Sequence, residues 1–266
     1  GSAYYKGQCG DNGGDLRLEV DGSATSYLHP RSSYRYQYNQ LYLENMNLTE
    51  LPAGVFDGLE YLHGLHLQGN KLRTLPEGLF RNLSSLEGLD LSNNGLEVIE
   101  KRAFQGLPRL YAIDLSNNRL SCLPNGIFKD VGNDACHYSG YSCTHTRTTV
   151  TLRLQGNMLT RLDGAFDGFV MLERLYLQDN KLTSLLPGAL KGLKHLYHLD
   201  LSNNSLMTLD EHIFESLESL RTLNMAWNQL EALPPRVFRN LSSLGFLYLQ
   251  GNKLRTLPEG LFRNLS

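Results

Sequence analysis

Two aspartates are the first residues whose type and spacing suggest chemistry. Asp90 and Asp114 stand in near-identical words, Leu89-Asp90-Leu91-Ser92-Asn93-Asn94 and Ile113-Asp114-Leu115-Ser116-Asn117-Asn118. A carboxylate pair can serve general acid–base catalysis or receive a cation. The alternation around these two predicts outward-facing positions on neighbouring strands, an open surface that cannot exclude water. No Ser/His/Asp or Cys/His constellation supports them. We therefore read no enzyme and no cofactor. On adjacent strands the two charges repel by about 1 kcal/mol even in water. Either a cationic ligand group relieves this, or Arg153 pairs with Asp114 as a weak exposed ion pair.

A second cluster gathers Cys122, Cys136, His137, Cys143 and His145. The spacing fits no tetrahedral zinc template, so no metal site is read. One disulfide among Cys122, Cys136 and Cys143 is expected, with its pairing open and the partner of Cys9 unassigned. The stretch 131–151 that holds most of these residues also carries Tyr138 and Tyr141. A loop this long in a compact chain is functional or disordered, so His137, Tyr138 and Tyr141 join the candidate binding residues.

These groups are positioned by a repeat. Leu65 to Phe80 returns at Leu247 to Phe262 with one change, Tyr248 for His66. Similar words begin at Leu41, Leu65, Leu89, Ile113, Leu152, Leu175, Leu199, Leu223 and Leu247. The usual step is 24 residues (65 − 41), with one of 39 (152 − 113) and one of 23 (175 − 152). Leu-x-Leu alternation predicts a short strand with leucines inward. The Asn that follows can satisfy backbone groups left by a sharp bend, as at Asn70, Asn94, Asn118, Asn157, Asn180, Asn204, Asn228 and Asn252. Met46 takes that place in the first repeat, where water or cap residues are expected to serve. Leu-Pro starts the return path. Phe56, Phe80, Phe104, Phe128, Phe166, Phe214, Phe238 and Phe262, with Leu190 once, are expected to line the far side. One repeat alone has no partner for its apolar groups; only stacking buries them.

Nine repeats agreeing at this many positions resemble the extracellular leucine-rich-repeat family over residues 41–266. The wording Leu51-Pro52-Ala53-Gly54-Val55-Phe56 is similar to the repeats of variable lymphocyte receptors and Toll-like receptor ectodomains. The resemblance implies a leucine-rich-repeat solenoid, an α/β-type horseshoe. Its parallel sheet would lie on the concave face, with loops or short helices on the convex face. Two departures stand out: only Cys9 is present where the family's N-terminal cap carries several cysteines, and no cysteine cap follows Ser266. Residues 1–40 are read as an N-terminal cap, with a β-hairpin turning at Asp21-Gly22. Tyr34, Tyr36 and Tyr38 serve either cap packing or the mouth of the binding face. Apolar residues at the open end suggest either a piece of a longer ectodomain, the reading we favour, or a homodimer through the uncapped end.

The concave side would present Tyr42, His66, Asp90, Asp114, Arg153, Tyr176, Asp200, Asn224 and Tyr248. A second row would hold Glu44, Gln68, Ser92, Ser116, Gln155, Gln178, Ser202, Ala226 and Gln250, with Asp179 and Trp227 beside it. Nine strands about 4.8 Å apart span roughly 40 Å, sized for a protein or glycan rather than a metabolite. Tyr176, Trp227, Phe246 and Tyr248 are either ligand anchors or packed against neighbours.

The remaining signals concern compartment and partners. The chain has 266 residues, 20% of them charged, and a net charge of −2. That balance argues against nucleic acid or an anionic membrane surface. No apolar run approaches the roughly 20 residues of a membrane span. Acceptor sequences for N-glycosylation begin at Asn47, Asn82, Asn203, Asn240 and Asn264. With clustered cysteines they place the protein outside the cell or on its surface. The expected function is recognition of a protein or microbial-surface ligand by an immune-type receptor. The alternative is a cell-adhesion, guidance or matrix protein.

Overall fold

The computed structural model describes residues 4–5, 16–20, 24–28, 39–129, 131–133, 149–263 and 265. Near the N-terminus, β1 (Tyr4–Tyr5), β2 (Leu16–Val20) and β3 (Ala24–Leu28) form an antiparallel sheet in the order β1-β2-β3. Tyr34, Tyr36, Tyr38 and Cys9 lie outside the described residues.

From Asn39 onward the chain winds as a solenoid, one strand per repeat. The strands are β4 (Asn39–Tyr42), β5 (Leu62–His66), β7 (Gly88–Asp90), β9 (Ala112–Asp114), β10 (Thr151–Arg153), β11 (Arg174–Tyr176), β12 (His198–Asp200), β13 (Thr222–Asn224) and β14 (Phe246–Tyr248). They form one nine-stranded sheet whose spatial order follows chain order. All the pairs are parallel. On the outer side, β6 (Thr74–Leu75) and β8 (Val98–Ile99) form a two-stranded parallel sheet. Among the described residues the return limbs are turns rather than helices.

The leucines dictate this winding. Leu65, Leu67, Leu72 and Leu75 of one repeat are each 1% exposed or less. Each such side chain contributes about 2 kcal/mol by leaving water, before entropy is subtracted. The outer wall is a phenylalanine stack. Phe56, Phe80, Phe104, Phe128 and Phe166 follow one another with centroids 5.5 to 6.3 Å apart. Leu190, buried, interrupts the stack, which resumes from Phe214 through Phe238 to Phe262.

The 39-residue step leaves the sheet intact. Ile113 of β9 pairs with Leu152 of β10 in the register by which Leu89 pairs with Ile113. The additional length is therefore extruded from the return limb, after Gly132 N–H donates to Leu107 O. Residues 134–148 lie outside the described residues, and with them Cys136, Cys143, His137, Tyr138 and Tyr141.

Cys122 is a free, exposed thiol, and Cys136 and Cys143, the other two members of the expected disulfide set, lie outside the described residues. Cys122 lies on the limb rising from the sheet, whereas the insertion leaves the returning limb. Buried Leu123, Ile127 and Phe128 lie between them in the chain.

Candidate ligand-binding face

Because successive side chains of a strand alternate, the residue between the two core leucines points away from the core. Tyr42, His66, Asp90, Asp114, Arg153, Tyr176, Asp200, Asn224 and Tyr248 form that row on the concave side. Tyr42 and Tyr248 are exposed, and the others are half-buried. Neighbours in the row interact in pairs. Tyr42 stacks on His66 at 4.5 Å, and His66 Nε2 donates to Gln40 Oε1 at 2.9 Å. Arg153 lies 4.0 Å from Asp114 Oδ2 and 5.6 Å over the Tyr176 ring. Asn224 Nδ2 donates to Asp200 Oδ2 at 3.1 Å.

The second row is not uniformly presented, which corrects the sequence reading. Ser92, Ser116, Ser202 and Ala226 are buried. Where Asp precedes, its Oδ1 accepts the serine N–H two residues on, at 2.9 Å from Ser92, Ser116 and Ser202. In the latter two it also accepts the hydroxyl, at 2.6 Å. Half of each aspartate is thus spent on the local turn. Glu44, Gln68, Gln155 and Gln178 are half-buried, each with one oxygen turned inward.

A third row precedes the first core leucine and was not singled out from the sequence as a row. It contains Gln40, Gly64, Gly88, Ala112, Thr151, Arg174, His198, Thr222 and Phe246. Extending the two-residue alternation by one position would have found it. Its small members matter most. Gly64, Gly88 and Ala112 floor a cavity of ≈ 300 Å³ walled by His63, Glu87 and Tyr111 on one side and His66, Asp90, Asp114 and Arg153 on the other. Gln40 fills the space over Gly64, its Oε1 lying 1.7 Å from where a Cβ would sit, whereas nothing lies over Gly88. Toward the C-terminal half, Tyr176 and His198 are tilted together at 4.9 Å, and Arg174 donates to the Tyr197 hydroxyl. Burial pushes the His198 imidazole below its usual range, and Asp200 partly opposes this.

The edge where the chain leaves the sheet forms a fourth line of residues with left-handed backbone. It contains Asn45, Gly69, Asn93, Asn117, Gly156, Asp179, Asn203, Trp227 and Gly251. Glycine and asparagine tolerate this conformation; a bulky aromatic does so at a cost of about 1–2 kcal/mol. Trp227, at φ 57°, is therefore strained, and the residue is 61% exposed. The indole lies over Gly251, where an added Cβ would come within 2.4 Å of Cε3. Trp227 thus packs on a neighbour and still faces solvent. Phe246 and Tyr248 are exposed beside it.

Three of the sequons, Asn47, Asn82 and Asn203, also have left-handed backbone and are exposed. Asn240 Nδ2 donates to Glu215 O, and Asn264 lies outside the described residues. Among the described residues no group of three or more His, Cys, Asp and Glu is arranged to hold a metal ion.

A coil of short parallel strands with asparagine-closed turns and an open polar sheet defines a solenoid scaffold. The chain belongs to the leucine-rich-repeat family, whose model matches residues 39–96, 61–120, 85–133 and 170–230. Proteins of this family are typically non-enzymatic scaffolds for protein interaction. No match was found among curated proteins. Among solved structures, the chain is similar to a leucine-rich-repeat protein of Leptospira interrogans. The identity is 31% and the TM-score 0.66, over 85% of this chain and 53% of that one. It is also similar to a chain of the Toll–Spatzle complex, described as a hub of Drosophila development and innate immunity. There the identity is 27% and the TM-score 0.60, over 82% of this chain and 30% of that one. The chain thus spans about half the Leptospira protein and under a third of the Drosophila one.

Proposed function

We propose that this chain is the recognition portion of an extracellular receptor of immune type, reading a protein ligand on its concave face. One observation carries the reading. Asp90 Oδ1 is committed to Ser92, while Oδ2 has no partner among the described residues and borders the Gly88-floored cavity. Among the carboxylates of the described residues, Arg153 meets Asp114, at 4.0 Å. A lysine or arginine from a ligand loop would enter over Gly88 and neutralise Asp90. Arg153, Tyr176 and the aromatics beyond would take the rest of a protein-sized surface. Similarity to a chain of the Toll–Spatzle complex supports a protein partner and an immune setting. A guidance or matrix protein would use the same face and remains the competing reading.

The test is binding of the purified chain to microbial surfaces and to host matrix, with Asp90→Asn and Asp114→Asn combined. The immune reading predicts microbial-surface binding that falls by about tenfold or more in the double variant. Binding to host matrix alone would favour the competing reading. Undiminished binding by the variant would remove the acidic cavity from the interface.

A further inference from the structure

We propose that Asn203 carries an N-linked glycan whose first sugar lies against the open face of Trp227. The inference rests on the extracellular reading above and needs no ligand.

The word Leu-Asp-Leu-Ser-Asn-Asn, or its isoleucine variant, occurs three times, and its first asparagine occupies the same left-handed turn each time. The three asparagines are used differently. Asn117 Nδ2 donates to Asn93 Oδ1, and Asn93 Nδ2 donates to Ser92 Oγ. Asn203 is exposed, and its carboxamide makes no hydrogen bond among the described residues. Only Asn203 has a hydroxyl residue two positions on: Ser205, against Gly95 and Arg119. The one copy that can be glycosylated is thus the one whose amide nitrogen is unengaged.

Its neighbour across the stack is also the exception. The turns holding Asn203 and Trp227 are successive, about 4.8 Å apart, and Asn203 N–H donates to Ala226 O. The other face of the indole rests on Gly251. An aromatic face takes the C–H face of a pyranose as it takes other apolar surface. Strain persists at a site when something else compensates it, and sugar stacking supplies that compensation for the left-handed Trp227.

Attachment consumes a polyprenyl-diphosphate-linked oligosaccharide. Asn203 Nδ2 bonds to the anomeric carbon, the bond from that carbon to diphosphate oxygen breaks, and Nδ2 loses a proton. Polyprenyl diphosphate leaves, and no oxidation occurs.

The chain is secreted from a eukaryotic host, and occupancy at Asn203 is read by peptide mass spectrometry. Trp227 is the single tryptophan, so acrylamide quenching of its fluorescence reports its cover directly. The expected result is an occupied Asn203, with quenching about twofold stronger in Ser205→Ala, which removes the acceptor without touching Asn203. In Trp227→Gly the glycan remains but a glycosidase releases it faster, with release at Asn47 unchanged. An unmodified Asn203 in a chain modified at Asn47 and Asn82 overturns the inference. So does equal quenching with and without the glycan. A chain unmodified at all three sites overturns the extracellular reading as well.

Discussion

Asn70 closes the turn at Met46 in the preceding repeat. Its Oδ1 accepts the backbone N–H groups of Met46 and Leu48, both at 3.0 Å, and its Nδ2 donates to Leu43 O at 2.7 Å. Each later ladder asparagine likewise reaches back one repeat, as Asn118 does to Leu96 N and Leu91 O. The ladder is thus a set of cross-repeat bonds, and the first repeat needs no asparagine of its own. The expectation that water or cap residues serve at Met46 is corrected accordingly.

Asn118→Ala leaves the buried Leu96 N–H without a partner, whereas Leu91 O keeps Asn94, Leu115 O keeps Asn157 and Ser116 O keeps the Asn93 N–H. At about 1–3 kcal/mol per buried unpaired group, a loss of about 1–3 kcal/mol is expected in urea unfolding. Asn252→Ala, where the bonds are only part-buried, should cost less than half as much. Equal losses would show that the ladder does not act through buried backbone groups.

Phe104 lies between Phe80 and Phe128 and is fully buried. Phe104→Ala should cost about 3–5 kcal/mol through lost burial and the cavity left behind. Phe262 touches the stack only through Phe238 and is 43% exposed. Phe262→Ala should cost under about 1 kcal/mol in the same denaturation series.

Gly251 and Trp227 give opposite signs. Gly251→Ala forces alanine to φ 72° and drives its Cβ into the indole. A destabilisation of about 1–2 kcal/mol and a more quenchable tryptophan should follow. Trp227→Gly removes the left-handed penalty and should leave stability unchanged or up to about 1 kcal/mol higher. A large loss in Trp227→Gly would mean that the ring stabilises the sheet edge by packing.

His198 makes stability depend on pH. Burial lowers its value below 6.5, so over this range the unfolded chain binds more protons there than the folded chain. The contribution is fully present above the unfolded value and is lost as pH falls through the folded one. Urea midpoints from about pH 7.5 to about pH 5 should therefore decline less steeply in His198→Gln than in the wild type. An identical slope would show that His198 is neutral to the balance.

Much of the architecture is legible in the residues themselves. A solenoid repeats one local solution, so Leu65, Asn70 and Phe80 announce strand, turn and outer wall, and their counterparts recur at the same spacing. Periodicity also placed Tyr42, Asp90 and Tyr176 on one side of the sheet, where they are found half-buried or exposed. It does not single out Arg174 and His198, which stand before the first core leucine of their repeats rather than between the two.

What tertiary structure alone decided is how neighbouring repeats use the same residue types. Asn203 and Asn117 are equivalent in sequence wording, yet only Asn117 is engaged, because Asn93 stands before it in the stack. Ser116 sits in the outward row and is buried because Asp114 Oδ1 takes its N–H and hydroxyl. Chain-local chemistry determines each turn of the coil; through-space contacts between turns, which no single repeat encodes, determine which side chains remain available to a ligand.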